Sequence, residues 1–178
     1  DIGGTTTDIA VFASGAPLIE REGIDIGSHP TLVSALKVHS IGIGGASAIS
    51  VVGDEVRVGP NRIGPSVCLG GDRVTLTDAV NCTGDCQVGD TETSRAALDT
   101  YAAAHSMTGD GLAEAAVAHA TDAIHVAARE LLDAINSKPV YTILELIQDK
   151  KIAPTKVYLM GGPALALKNH LFRRFQLS

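Results

Sequence analysis

Residues 1–8 contain more side chains able to do chemistry than any other stretch of the chain. They read Asp-Ile-Gly-Gly-Thr-Thr-Thr-Asp, and apolar strand-forming residues follow. Adjacent glycines permit a tight turn between two strands, and successive N–H groups on such a turn form a concavity that suits phosphate. Hydroxyls add donors, and a carboxylate can hold hydrated Mg²⁺. The segment predicts a phosphate-binding hairpin; the alternative is an ordinary Gly-rich hairpin with solvated threonines.

A second Gly-rich segment covers residues 40–50, where Gly42, Gly44 and Gly45 precede small side chains. Glycines in this pattern either line a nucleotide or substrate cleft with bare backbone or let two strands pack closely. Both roles are compatible with the sequence.

A third Gly-rich segment, Gly161-Gly162-Pro163-Ala164, follows residues 156–160, which read as a buried strand. Ligands of open α/β sheets bind beyond the carboxyl ends of the strands. Glycines there let a base or ribose lie against the backbone, and Pro163 suits the first turn of a helix. The pattern is common by itself, but its pairing with residues 1–8 predicts a nucleotide site.

Composition excludes several classes of function. The formal net charge of −6 argues against a nucleic-acid partner, and no apolar run is long enough to span a membrane. Three cysteines without a secretory signal predict reduced thiols and a cytoplasmic protein. Since hydrophobic residues make up 45% of the chain and aromatic residues only 3%, the core is expected to be aliphatic.

The elements that position these segments are strands first and helices later. Turn residues predict a hairpin over 8–21, a strand over 32–38 and a hairpin over 49–58. Residues 59–90 lack periodicity and are expected to form an irregular loop insertion. Apolar residues at helical spacing predict helices over the following ranges: 91–104, 111–135, 141–150 and 165–175.

Other reactive side chains have simpler interpretations. Cys68, Cys82 and Cys86 lack a second ligand pair, which favours ordinary thiols over a metal site. Asp78 and Asp85 can bind a cation, although Asp78 also suits a helix cap. The histidines of the helical block and the basic residues near the end of the chain are expected to be structural or solvated.

The Asp-x-Gly-Gly-Thr-x-Thr-Asp hairpin, followed much later by strand-Gly-Gly-x-Ala, resembles the ATPase superfamily of sugar kinases, heat-shock chaperones and actin. The middle of the chain resembles the hydantoinase A and 5-oxoprolinase family more specifically. That resemblance rests on residues 40–50, 58–60, 64–65, 68, 70–71 and 75–79. The chain departs from the family pattern at Ala46, where a third glycine is frequent, and after Cys68, where Tyr-Gly-Arg is usual.

The resemblance implies an α/β fold: an actin-like, ribonuclease H-like ATPase lobe with a mixed sheet, N-terminal β-hairpins and Ala-rich helices packed on it. It also implies ATP and Mg²⁺ as cofactors and hydrolysis of a cyclic amide whose carbonyl ATP activates. Asp1 and Asp8 are the implied catalytic residues, and Asp1 is also the implied metal ligand. The implied nucleotide-binding residues are Gly3, Gly4, Thr5, Thr6, Thr7, Gly44, Gly45, Gly161, Gly162 and Ala164.

The superfamily carries two phosphate loops, one in each lobe, and this chain contains a single copy. We therefore expect residues 1–178 to be one nucleotide-binding lobe of a longer two-lobe ATPase, with residues 1–8 as the second phosphate loop. The expected partners are the other lobe, a small cyclic amide and a second hydantoinase-type subunit. The alternatives are a small-molecule kinase and a non-enzymatic ATPase module that reactivates another enzyme.

Overall fold

Antiparallel strands occupy the first third of the chain, and helices occupy most of the remainder. The structure is a computed structural model that describes residues 1–13, 15–20, 23, 25–26, 29–137 and 151–176. In chain order the strands are β1 (Thr7–Ala10), β2 (Phe12–Ala13), β3 (Ala16–Pro17), β4 (Ile19–Glu20), β5 (Asp25–Ile26), β6 (His29–Pro30), β7 (Ala35–Leu36), β8 (Val38–Ile41), β9 (Ser47–Val52) and β10 (Glu55–Arg62).

The strands pair in short antiparallel ladders. The hairpin predicted over 49–58 is confirmed as β9–β10, and it turns at Gly53, whose φ of 63° suits glycine. Strand β1 pairs with β8, so that Thr7 faces Ile41 and Ala10 faces Val38. The hairpin predicted over 8–21 is only partly present, because just β2 and β3 pair locally there.

Four helices follow in the described residues: α1 (Leu76–Thr83), α2 (Thr91–Ala103), α3 (Gly109–Asn136) and α4 (Ala164–Phe175). The side chains of Asp90 and Thr108 accept backbone N–H groups at the starts of α2 and α3. The helices predicted over 91–104, 111–135 and 165–175 are thereby confirmed. The helix predicted over 141–150 lies outside the described residues.

Helix α3 is the centre of an aliphatic core. Leu112, Ala116, Ala120 and Ile124 recur on one face at helical spacing and are buried. The alanines let neighbouring helices approach closely, while fully buried leucines of α1, α2 and α4 fill the remaining space; each contributes roughly 1.5–3 kcal/mol by leaving water. These leucines are Leu76, Leu98, Leu167 and Leu171. The aliphatic core expected from composition is confirmed.

Two local expectations differ from the structure. Residues 59–90 are not irregular throughout, because they contain the end of β10, a 3₁₀ turn at Val67–Leu69 and helix α1. These elements are too short to produce a periodic apolar pattern. Residues 156–160 form no assigned strand, and Tyr158 and Met160 are 78% and 58% exposed, so the prediction of a buried strand there is wrong.

The architecture is a mixed α/β fold with small antiparallel sheets, and the described strands do not join into the single mixed sheet that the resemblance implies. Among the described residues, no helix is long and apolar enough to cross a membrane.

Candidate phosphate and nucleotide site

Residues 1–8 form the tight hairpin that the sequence predicts. The Asp1 nitrogen donates to the Asp8 carbonyl at 2.7 Å, and the Asp8 N–H donates to the Asp1 carbonyl at 2.8 Å. Nearer the tip, the Gly3 N–H donates to the Thr6 carbonyl at 2.9 Å. The chain therefore reverses over Gly4 and Thr5.

The tip of this hairpin presents unpaired donors to open space. Within the described part of the chain, the main-chain N–H groups of Gly4, Thr5 and Thr6 donate to no protein acceptor. A Cβ built on Gly4 would meet no atom within 4 Å. Successive free N–H groups beside an open volume fit a phosphate group. We call residues 3–6 the phosphate loop.

The two residues after this loop have structural contacts. Thr7 is 2% exposed and its hydroxyl donates to the Ile43 carbonyl at 2.7 Å, so that hydroxyl faces away from the loop. The Asp8 carboxylate accepts the Ser40 hydroxyl across the β1–β8 ladder. These contacts brace the hairpin, and they give no support to a phosphate contact by the Thr7 side chain.

The segment containing Gly44 and Gly45 lies directly behind the phosphate loop. The Gly45 and Ala46 N–H groups donate to the carbonyls of Gly3 and Gly4 at 3.0 and 2.7 Å. A Cβ on Gly44 would lie 2.6 Å from backbone atoms of residues 3–5. Gly44 is therefore required for close packing, and its segment holds the loop in place.

The third Gly-rich segment adjoins the same hairpin. Gly161 has a φ of 98°, and a Cβ there would lie 2.2 Å from the Ile2 carbonyl oxygen and 2.6 Å from Asp1 Oδ1. The Ile2 N–H donates to the Met160 carbonyl at 2.8 Å. A Cβ on Gly162, by contrast, would meet nothing within 4 Å. The Gly161 side of this turn is therefore packed against Ile2 and the exposed Asp1, whereas the Gly162 side is open.

Ala164 is 5% exposed and belongs to the core at the start of α4. Its methyl group anchors the turn, while Gly162 faces the open volume. The three Gly-rich segments thus lie against one another. Some of their residues pack the turns together, and others face outward.

Sequence reasoning missed Arg62, which lies at the end of β10. Its Nη1 donates to the Thr5 hydroxyl at 3.1 Å, although the two residues are 57 positions apart. No local motif predicts that contact, because it depends on how β10 approaches the phosphate loop.

The remaining candidates are structural. Asp78 is fully buried and accepts from the N–H groups of Val67, Cys68 and Thr75 and from the hydroxyls of Thr75 and Ser94. It caps α1, as one of the two sequence interpretations proposed. Asp85 contacts Thr83 and His170; burial alone would raise the pKa of Asp85, but these hydrogen bonds hold it below the ordinary value.

The three cysteines are free thiols. Burial raises the pKa of each, and that of Cys68 reaches about 11. No group of three or more metal-binding side chains occurs among the described residues. The Asp1 carboxylate lies beside the Gly161 turn, and its oxygens are of the type that Mg²⁺ binds.

An open cavity of about 570 Å³ lies at the opposite end of α4, lined by residues such as His125, His170 and Arg173. None of the Gly-rich residues lines it. The convergence of backbone donors is a stronger indication of a site than this cavity, because the cavity is open to solvent and lies away from the Gly-rich segments.

The sequence profile of the family described as Hydantoinase/oxoprolinase matches residues 1–177. A solved structure similar to this chain is nucleotide-free acetone carboxylase, studied for the mechanism of ATP-dependent acetone carboxylation. The two share 20% identity with a TM-score of 0.67 over 99% of this chain and 25% of the carboxylase chain, so this chain spans a quarter of that protein. No curated protein matches the sequence.

Proposed function

The chain belongs to the hydantoinase/oxoprolinase family, and on that premise we propose that it is the ATP-binding lobe of an ATP-dependent cyclic-amide hydrolase. The observation that carries the proposal is the convergence of the phosphate loop with Gly44 and Gly161, at positions where a side chain would clash. Glycines that bring main-chain donors to an open surface are what a nucleoside phosphate requires. The ATP-dependent reaction of the structural neighbour agrees with ATP use.

Each part of the site has a proposed task. The N–H groups of Gly4, Thr5 and Thr6 bind phosphate oxygens, and Gly162 lies against the adenosine. Asp1 would hold Mg²⁺ through water or orient a nucleophile, and Asp8 keeps the hairpin in shape. ATP supplies the phosphoryl group that activates the ring carbonyl, and fixed donors stabilise the charge that develops.

We further propose that this lobe has the actin-like fold and works with a second lobe that carries the other phosphate loop. The described strands form two-stranded antiparallel ladders, so this part of the proposal is supported by the convergence of the Gly-rich segments and not by the sheet. Magnesium, a cytoplasmic location and a second hydantoinase-type subunit belong to the same proposal. A carbonyl substrate other than a cyclic amide is a second candidate, favoured by the likeness to acetone carboxylase.

The decisive experiment measures ADP release by the full-length protein with 5-oxoproline, hydantoin or N-methylhydantoin added. We expect one of these rings to stimulate release. If none does while ATP still binds, the cyclic-amide assignment fails and the kinase and ATPase-module alternatives gain support. If ATP does not bind, the nucleotide assignment fails as well.

A matched pair of variants tests the site. Asp1→Asn removes an exposed carboxylate beside Gly161 and leaves its main-chain bonds to Asp8 intact. Asp54→Asn makes the same change in the β9–β10 turn. We expect the first to abolish stimulated ADP release at an unchanged melting temperature and the second to behave as wild type.

A further inference from the structure

Arg62 occupies an unusual position at the end of β10. The ladder with β9 loses register between Val58 and Arg62, which is the mark of a β-bulge. The bulge is tightly packed, since a Cβ on Gly59 would lie 2.3 Å from the Gly42 carbonyl oxygen and one on Gly42 would lie 2.6 Å from Pro60 Cβ. The bulge therefore joins β10 to the segment that supports the phosphate loop.

This arrangement directs the guanidinium of Arg62 to the tip of the phosphate loop. Its Nη1 donates to the hydroxyl of Thr5, whose main-chain N–H is one of the three unpaired donors. Thr5 therefore fixes the side chain of an exposed arginine beside the open volume in front of Gly4.

The guanidinium of Arg62 has no carboxylate partner among the described residues, unlike other arginines of the chain. Arg57 on the same strand pairs with Glu55, and Arg95 and Arg174 pair with Asp110 and Asp122. Arg62 forms no ion pair with any described residue. One of its five N–H donors is used by Thr5, and the others remain available to an anion.

We propose that Arg62 is a phosphate-binding residue that recognises the polyphosphate chain of the nucleotide, with Thr5 as its positioning residue. The proposal rests on the proposed function and adds a cation to a site for which the sequence offered only neutral donors. A planar guanidinium binds phosphate oxygens in pairs, which neither the main-chain donors nor a lysine reproduces.

The test separates the polyphosphate from the adenosine part of the ligand. Binding of Mg·ATP, tripolyphosphate and adenosine to the full-length protein is measured by calorimetry for wild type, Arg62→Gln and Arg57→Gln. Loss of a charge-assisted hydrogen bond predicts roughly 10- to 100-fold weaker binding of ATP and tripolyphosphate by Arg62→Gln. Adenosine affinity and melting temperature should not change, and Arg57→Gln should bind every ligand as wild type does.

Thr5 variants test the positioning role. Thr5→Val removes the acceptor that holds Arg62 and should weaken tripolyphosphate binding, whereas Thr5→Ser should retain it. The substitution Arg62→Gln should weaken tripolyphosphate binding by a smaller factor in the Thr5→Val background than in wild type, because Arg62 is already displaced in that background.

The outcomes distinguish the two proposals. ATP binding that is equal in wild type and Arg62→Gln overturns the role of Arg62 and leaves the nucleotide site standing. Tripolyphosphate binding that depends on Arg62, without any binding of ATP or adenosine, supports an anion site and overturns the nucleotide proposal. Equal losses for Arg62→Gln and Arg57→Gln indicate a general charge effect and also overturn the assignment.

Discussion

At the scale of single residues, two neighbouring glycines of the third Gly-rich segment have different tasks. Gly161 is in the left-handed region with no room for a Cβ, because Ile2 and Asp1 lie against it. Gly162 has space around it and no unusual φ. One glycine therefore holds the turn to the hairpin, and the other leaves room for a ligand.

Alanine substitutions should separate these tasks. Gly161→Ala should lower the free energy of unfolding by about 2–4 kcal/mol, since it combines an unfavourable φ with overpacking. Gly162→Ala should stay within about 0.5 kcal/mol of wild type and yet weaken ATP binding. Urea titration and ATP calorimetry measure the two effects. Equal stability of the two variants would contradict the close packing of Gly161 against Ile2.

The Cys68 thiol predicts a pH dependence of stability. Burial, assisted by the nearby Asp78 charge, raises its pKa from the ordinary 9.0 to about 11. Between these values the unfolded chain loses this proton and the folded chain keeps it, so the free energy of unfolding falls as pH rises, by up to about 1.4 kcal/mol per pH unit. This stabilisation is complete below pH 9 and is lost as the pH rises to about 11.

Urea titrations of wild type and Cys68→Ala from pH 8 to 11 test this dependence. The variant is less stable at pH 8 because it leaves a cavity, but its stability should fall less steeply above pH 9. Cys82 and Cys86 are present in both proteins, so their contributions cancel when the free energies of unfolding of wild type and Cys68→Ala are subtracted. Parallel curves would mean that the Cys68 thiol does not titrate in this range.

At the scale of elements, the Asp78 carboxylate joins three pieces of secondary structure. It accepts N–H groups of the Val67–Leu69 turn, caps its own helix α1, and accepts the Ser94 hydroxyl from α2. Five donors surround one buried carboxylate, so the loop before α1 is ordered by a polar centre as much as by apolar packing.

Replacement of this carboxylate should therefore destabilise the packing of the Val67–Leu69 turn, α1 and α2 together. Asp78→Asn turns an NH₂ group toward donors that then lack an acceptor, and we expect a loss of about 3 kcal/mol or more in the free energy of unfolding. Asp72→Asn is the matched control, because Asp72 is exposed in the same segment. Urea unfolding followed by circular dichroism measures both. A loss below about 1 kcal/mol for Asp78→Asn would contradict the central role of this carboxylate.

The elements predictable from sequence are those with local determinants. The β9–β10 hairpin follows from Gly53-Asp54, and α3 follows from its apolar face. The pairing of β1 with β8 was not predictable, because the intervening residues carry their own turn signals. The contact between Arg62 and Thr5 depends on a bulge and on tertiary packing, which no local pattern encodes.

The candidate site was predictable in its glycines and less so in its other members. Gly44 and Gly161 lie where their motifs place them, because close backbone approach excludes every larger residue. Thr7 and Ala164 carry the same motifs, but their side chains are buried in the structure. A motif specifies a backbone conformation. Some side chains within it stabilise that conformation, and others are left to contact a ligand.

At the scale of the whole molecule, the site faces outward on one side. The main-chain donors of the phosphate loop and the space before Gly162 are open in the described structure. Tyr158, Met160 and Leu165, which surround the third Gly-rich segment in sequence, are 78%, 58% and 79% exposed. Exposed apolar side chains at these positions agree with the two-lobe proposal, in which another domain covers this side.

This arrangement predicts that residues 1–178 bind ATP but do not turn it over when produced alone. Phosphoryl transfer needs donors around the whole phosphate chain, and the described residues supply them from one side. We expect weak ATP binding by the isolated lobe and ATP hydrolysis at the background rate, with substrate-stimulated turnover only in the full-length protein. A folded sample, verified by a cooperative urea transition, is the necessary control. Robust hydrolysis by the lobe alone, abolished by Asp1→Asn, would show that one lobe suffices and would overturn the two-lobe proposal.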